Sequence, residues 1–105
     1  MEQPNLEYIE QLARGDESIR NELIEVIKTE FPDEKKEYYD YLEKKEFKKI
    51  EESVHKLKHK ISILGLEKSY EIANEFEHNL RELSLEKQED FEKILKAITT
   101  YIETI

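Results

Sequence analysis

Residues 47–83 read FKKIEESVHKLKHKISILGLEKSYEIANEFEHNLREL, and the spacing of their apolar positions decides the fold. Phe47, Ile50, Val54, Leu57, Ile61 and Leu64 recur at threes and fours, the period of one helix face. Gly65 follows, a residue suited to the left-handed conformation that closes a helix. A second stripe then runs through Tyr70, Ala73, Phe76, Leu80 and Leu83. Only Leu66 and Glu67 connect the two, a link so short that the helices must lie antiparallel.

The same period extends in both directions. Leu6, Ile9, Leu12 and Ala13 predict a short first helix that stops near Gly15. Asp16 is an N-cap candidate for a second, with Ile19, Leu23, Val26, Ile27 and Phe31 on its stripe. Pro32 is expected to break or bend the chain there, starting a third segment through Tyr38, Tyr41 and Leu42 to about Lys45. After the central pair, Ser84 is the expected cap of a last helix carrying Phe91, Ile94, Leu95, Ile98, Tyr101, Ile102 and Ile105. No strand-like alternation and no repeat interrupts the pattern. The expected fold is all-α: an antiparallel four-helix bundle with additional short N-terminal helices, one domain over residues 1–105.

Composition narrows the chemistry. The chain has 105 residues, 41% of them charged, with a net charge of −9. A domain of that size buries one modest core and encloses no deep active site. The acidity argues against nucleic acid, whose phosphates need a basic face. There is no cysteine, hence no disulfide, thiol chemistry or thiolate metal site. No apolar run approaches the ~20 residues of a membrane span, and MEQPNLEYIE lacks the features of a secretory leader. The expectation is a cytoplasmic protein, most simply a monomer, that binds neither nucleic acid nor membrane.

One patch departs from the overall acidity. Residues 44–60 hold seven lysines and two histidines against three glutamates. His55 lies within it, about 130° from the centre of its helix's apolar stripe, which points it at solvent. Beside it, by the neighbour rule for helices, lie Lys48, Glu51, Lys58, His59 and Ser62. Three readings of this face compete. An ordinary charged surface would account for most of it. A metal clamp by His55 and His59 would need a third ligand; His78 falls outside its own helix's stripe, and Lys56, Lys58 and Lys60 oppose a dication. No metal ligands and no cofactor are therefore expected. Phosphoryl chemistry uses more of the residues. An exposed imidazole is largely neutral at pH 7 and nucleophilic. A lysine at i+3, Lys58, is placed to offset the charge spread over the oxygens of a transferring phosphoryl group. With no phosphate-binding loop in the chain, the group must arrive on another protein.

The run His55-Lys56-Leu57-Lys58 with Leu64-Gly65 resembles the His-x-Leu-Lys-Gly…Leu-Gly signature of histidine-containing phosphotransfer (HPt) domains. LARGDESIRNELIEVIKTEF at residues 12–31 is similar to the family's N-terminal stretch, and Phe76-Glu77 with Arg81 resembles the Leu-Glu…Arg of the helix after the glycine. The resemblance covers roughly residues 5–103. It implies a four-helix bundle in which His55 is phosphorylated, on Nε2, and exchanges its phosphoryl group with aspartates of response-regulator receiver domains downstream of a hybrid histidine kinase. It implies that Lys58 steadies the group and that Arg81 approaches the site. It also implies no ATPase or autokinase activity, with Mg²⁺ needed only in the receiver partner. His59 stands where the family usually has a small glycine; its imidazole either crowds a docked receiver or donates a hydrogen bond to the phosphoryl group. In the first case the chain would be a non-phosphorylated adaptor that binds a receiver or kinase domain. The remaining acidic positions of the same helix, Glu75, Glu77 and Glu82, together with Glu86, are expected to be solvated, and the six tyrosines to serve packing. Ile63, Leu66, Tyr8 and Ile9 are candidates for the edge of a docking surface.

Overall fold

The computed structural model describes residues 2–105, so the first residue of the expected 1–105 domain lies outside it. The described residues form five helices and no strand: α1 (Glu7–Ala13), α2 (Glu17–Glu43), α3 (Phe47–Ile63), α4 (Glu67–Arg81) and α5 (Gln88–Ile102). α3 packs against both α2 and α4, α5 lies against α4 and α2, and α1 lies along α2. Ile27, Phe31, Tyr38, Ile50, Val54, Leu57, Ile61, Phe76, Leu80, Phe91, Leu95 and Ile98 are buried together in one core. Its centre is aromatic. Tyr38, Phe76 and Phe91 meet with ring centroids 5.2–6.3 Å apart, in the tilted and edge-on arrangements that suit ring quadrupoles. The Tyr38 hydroxyl donates to Glu92 at 2.9 Å. Burial, with Glu92 beside it, pushes that hydroxyl far above the ordinary tyrosine range, so it remains a donor.

Two expected boundaries are corrected. Pro32 neither ends α2 nor starts a new segment; it sits inside a continuous 27-residue helix. A proline in a helix interior forfeits a backbone hydrogen bond and costs about 3 kcal/mol. Two features offset that. The stripe Ile24, Ile27, Phe31 and Tyr38 is buried on both sides of Pro32, whose ring faces solvent. Lys60 of α3 also bridges Glu30 at 2.9 Å and Glu34 at 3.2 Å, two residues to either side of Pro32. A single short N-terminal helix, α1, therefore replaces the two expected. The second correction concerns Ser84. Its hydroxyl accepts from the Glu86 amide in a local turn, and α5 starts only at Gln88, after Lys87 at a φ of 77°. Phe91, fully buried, sets the register of that helix. Asp16 caps α2 as the sequence predicts, accepting from the Ser18 and Ile19 amides.

The α3–α4 turn, which fixes the site's geometry, is held from the N-terminus. Gly65 has a φ of 75°, and its neighbour Leu66 returns a hydrogen bond to the Ile61 carbonyl. Asn5 presses against the glycine: its side-chain atoms lie 2.7 Å from where a Cβ would stand, and its amide donates to the Leu64 carbonyl at 2.9 Å. Glu2 accepts from the Ser69 amide at 2.7 Å, supplying to α4 the cap that Leu66 has no side chain to provide. Gly65→Ala is thus expected to destabilise the protein by about 2 kcal/mol, combining left-handed strain with displacement of Asn5. Urea unfolding measures it, and a loss below ~0.5 kcal/mol would mean that the turn adapts freely.

Candidate phosphoryl-transfer site

His55 stands on the outer side of α3, its side chain 61% exposed. Nδ1 is 3.0 Å from Oε1 of Glu77 on α4. A carboxylate only accepts, so Nδ1 carries the hydrogen and Nε2, on the opposite edge of the neutral ring, holds the free lone pair. Glu77 is itself nearly buried, at 8%. That departs from the solvated position expected of it, and the reason is periodicity. Ala73, Phe76, Glu77 and Leu80 lie at i, i+3, i+4 and i+7, so Glu77 falls on the packed stripe of α4.

Lys58 is corrected in the same way. The neighbour rule puts it on the outer row beside His55, but its side chain is 9% exposed, because Val54, Leu57, Lys58 and Ile61 share α3's inward stripe. Its ammonium donates to Asn74 Oδ1 at 2.6 Å and to Glu77 Oε2 at 3.3 Å, and sits 5.3 Å from the centre of the Tyr70 ring. Arg81 joins the cluster from the last turn of α4. It donates to Glu77 Oε2 at 3.3 Å and to Glu51 Oε2 at 2.7 Å. The Glu51 hydrogen bond and charge raise the pKa of the guanidinium further. One buried carboxylate is therefore shared by His55, Lys58 and Arg81, and it sets the imidazole's tautomer and orientation.

His59 is exposed one turn along α3, with its ring perpendicular to that of His55 and 5.4 Å away between centroids. His78 is elsewhere, 3.6 Å from Glu82 at the exposed end of α4. Among the described residues, no group of three or more His, Asp or Glu is arranged to hold a metal ion. The site is an open recess of about 320 Å³ bounded by Glu51, Glu52, His55, Lys56, Glu77 and Arg81, too shallow to enclose a small substrate. A larger cavity of about 480 Å³ lies between α2 and α5 and is lined by none of these residues. Of the docking positions read from the sequence, Leu66 and Ile9 belong to the core, Ile63 is half-buried, and Tyr8 is 48% exposed.

An outward imidazole nitrogen, oriented by a carboxylate and set in a recess too shallow to enclose a small substrate, is open to a protein surface that docks over it. No helix among the described residues is long and apolar enough to cross a membrane. No curated protein and no solved structure matched the chain. A family model described as Hpt domain matches residues 21–105. The chain belongs to the Hpt domain family, the helical phosphotransfer modules of two-component phosphorelays, which act with receiver domains and have no kinase activity of their own.

Proposed function

We propose that this protein is a stoichiometric intermediate in a multistep phosphorelay, taking a phosphoryl group from one receiver aspartate and giving it to another through His55. The observation that carries the reading is the pairing of His55 Nδ1 with Glu77, which leaves Nε2 as the exposed nucleophile. In the forward step the Nε2 lone pair attacks phosphorus in line. The bond between phosphorus and the receiver's aspartyl oxygen breaks, and its electron pair returns to that carboxylate, beside the receiver's Mg²⁺. The proton stays on Nδ1, where Glu77 stabilises the cationic ring that results. Lys58 and Arg81 both donate to Glu77 and so offset its charge. Transfer in the reverse direction follows the same path.

In this reading a hybrid histidine kinase supplies the first receiver and the protein works as a cytoplasmic monomer. Its longer helices, α2–α5, form an antiparallel four-helix bundle capped by α1. The receiver covers His55 and reaches the exposed side of α1 at Tyr8, which lines a recess with Gln11, Ser62 and Gly65. Tyr8→Ala is expected to weaken receiver binding roughly tenfold, the usual scale for an aromatic at an interface. Titration of a labelled receiver measures this, and unchanged affinity would take α1 out of the interface. The function itself is tested by incubation with a phosphorylated receiver domain in Mg²⁺ and intact-mass analysis. A gain of one acid-labile, base-stable phosphoryl group supports the relay. Binding without any gain, from several receivers, would favour an adaptor instead.

A further inference from the structure

The cations around His55 are already committed. Lys56 faces Glu37 at 3.4 Å; Lys58 is held by Asn74 and Glu77; Lys60 is held by Glu30 and Glu34; Arg81 is held by Glu51 and Glu77. Each of these four cations is thus already paired with a carboxylate. Among the described residues His59 differs from the other two histidines: its nitrogens have no hydrogen-bond partner, whereas His55 and His78 each face a carboxylate. It contributes nothing to the core, and histidine is a mediocre helix former in mid-helix. Its ring is nonetheless edge-on to His55 at 5.4 Å between centroids. That places the His59 imidazole beside the ring that would carry the phosphoryl group.

We propose that His59 is a phosphoryl-contacting residue: its ring N–H donates a hydrogen bond to an oxygen of the phosphoryl group carried on His55 Nε2 and retains that group against water. The proposal rests on the phosphorelay reading and adds to it a residue that controls how long the phosphorylated state lasts. The physical reason is differential stabilisation. Phosphorylation places two negative charges beside Nε2, where a donor to a charged oxygen is stronger than a neutral one. Hydrolysis passes through a loose transition state in which the phosphoryl oxygens are poorer acceptors than in the bound dianion. A donor that holds the dianion therefore slows loss to water. The same contact shifts the exchange equilibrium with a receiver toward His55.

The test uses two phosphoryl sources. Potassium phosphoramidate phosphorylates imidazoles directly, forming the N–P bond as ammonia leaves; a phosphorylated receiver in Mg²⁺ does so by relay. The wild-type protein is compared with His59→Gly, His59→Phe and His59→Gln. Phosphorus NMR gives the half-life of the His55 phosphoryl group after the donor is removed, and electron-transfer fragmentation maps its position. Circular dichroism checks that each variant is helical. The half-life is expected to fall about fivefold or more in His59→Gly and in His59→Phe, which keeps a ring without a donor, and to recover in His59→Gln, which restores an N–H. Equal half-lives in wild type and His59→Phe would overturn the proposal in favour of simple bulk. An unchanged half-life in His59→Gly, or a label on His59 with His55 bare, would overturn it outright. If phosphoramidate labels His55 but no receiver does, the relay reading fails while the half-lives still decide the role of His59.

Discussion

Replacement of His55 by Gln is expected to reduce phosphoryl uptake from a phosphorylated receiver by at least about 10³-fold, the scale on which loss of a nucleophile is felt. Glutamine offers no nitrogen lone pair, since its amide nitrogen is conjugated with the carbonyl. The substitution is otherwise mild. The His55 side chain is mostly exposed, glutamine is a better helix former than histidine, and no cavity is left behind. Stability should change by no more than about 0.5 kcal/mol, and receiver binding should persist. Intact-mass analysis alongside a binding titration separates the two properties. A full phosphoryl gain in the variant would move the acceptor role to another residue, with His59 the first to map.

Glu77→Ala is expected to have the larger effect on the fold. Its carboxylate is the counter-charge for Lys58, whose ammonium lies in the α3–α4 interface and would retain only the Asn74 hydrogen bond and the Tyr70 ring face. Breaking a buried pair from one side leaves an uncompensated charge and costs about 3 kcal/mol. For a domain of this size that lowers the Tm by roughly 12–20 °C. Transfer should fall by about 10–100-fold as well, because the imidazole loses the acceptor that fixes its tautomer. Glu77→Gln distinguishes the two roles. The amide oxygen still accepts from Nδ1, so transfer should largely recover, while the charge on Lys58 stays unbalanced and stability does not. Thermal unfolding and single-turnover transfer rates report each separately. A Glu77→Ala protein that accepts phosphoryl at the wild-type rate would show that orientation of His55 comes from elsewhere.

Much of this architecture is legible in the residue spacing. The α3–α4 hairpin, its closure at Gly65, the Asp16 cap and the outward His55 follow from a 3.6-residue period and local chemistry alone. The two boundary errors share a cause: tertiary contacts override the local signals at Pro32 and Ser84. Pro32 reads as a break until Lys60, 28 positions later, bridges Glu30 and Glu34 across it. Ser84 reads as a cap, yet the register of α5 is set by where Phe91 enters the core. The misplacement of Lys58 and Glu77 is more instructive, because the period did contain it. Both fall at i+4 in otherwise apolar stripes, Val54-Leu57-Lys58-Ile61 and Ala73-Phe76-Glu77-Leu80. One charge of each sign on facing stripes signals a buried pair, and treating charge as a mark of exposure concealed it.

The contacts of Asn5 with Leu64 and Gly65, and of Glu2 with Ser69, also order events along the folding coordinate. The α3–α4 hairpin closes over a short loop, whereas these N-terminal contacts close loops of about 60 residues, with a correspondingly greater entropy to overcome. The hairpin should therefore assemble early and the N-terminal strap late. In the native state the strap is the segment that opens first, so the Asn5 and Ser69 amides should exchange with solvent well before those of Leu57 or Phe76. Local opening at that end would loosen the turn from which α3 and α4 hold His55 and Glu77 in register, linking the geometry of that pair to the last piece of the chain to settle.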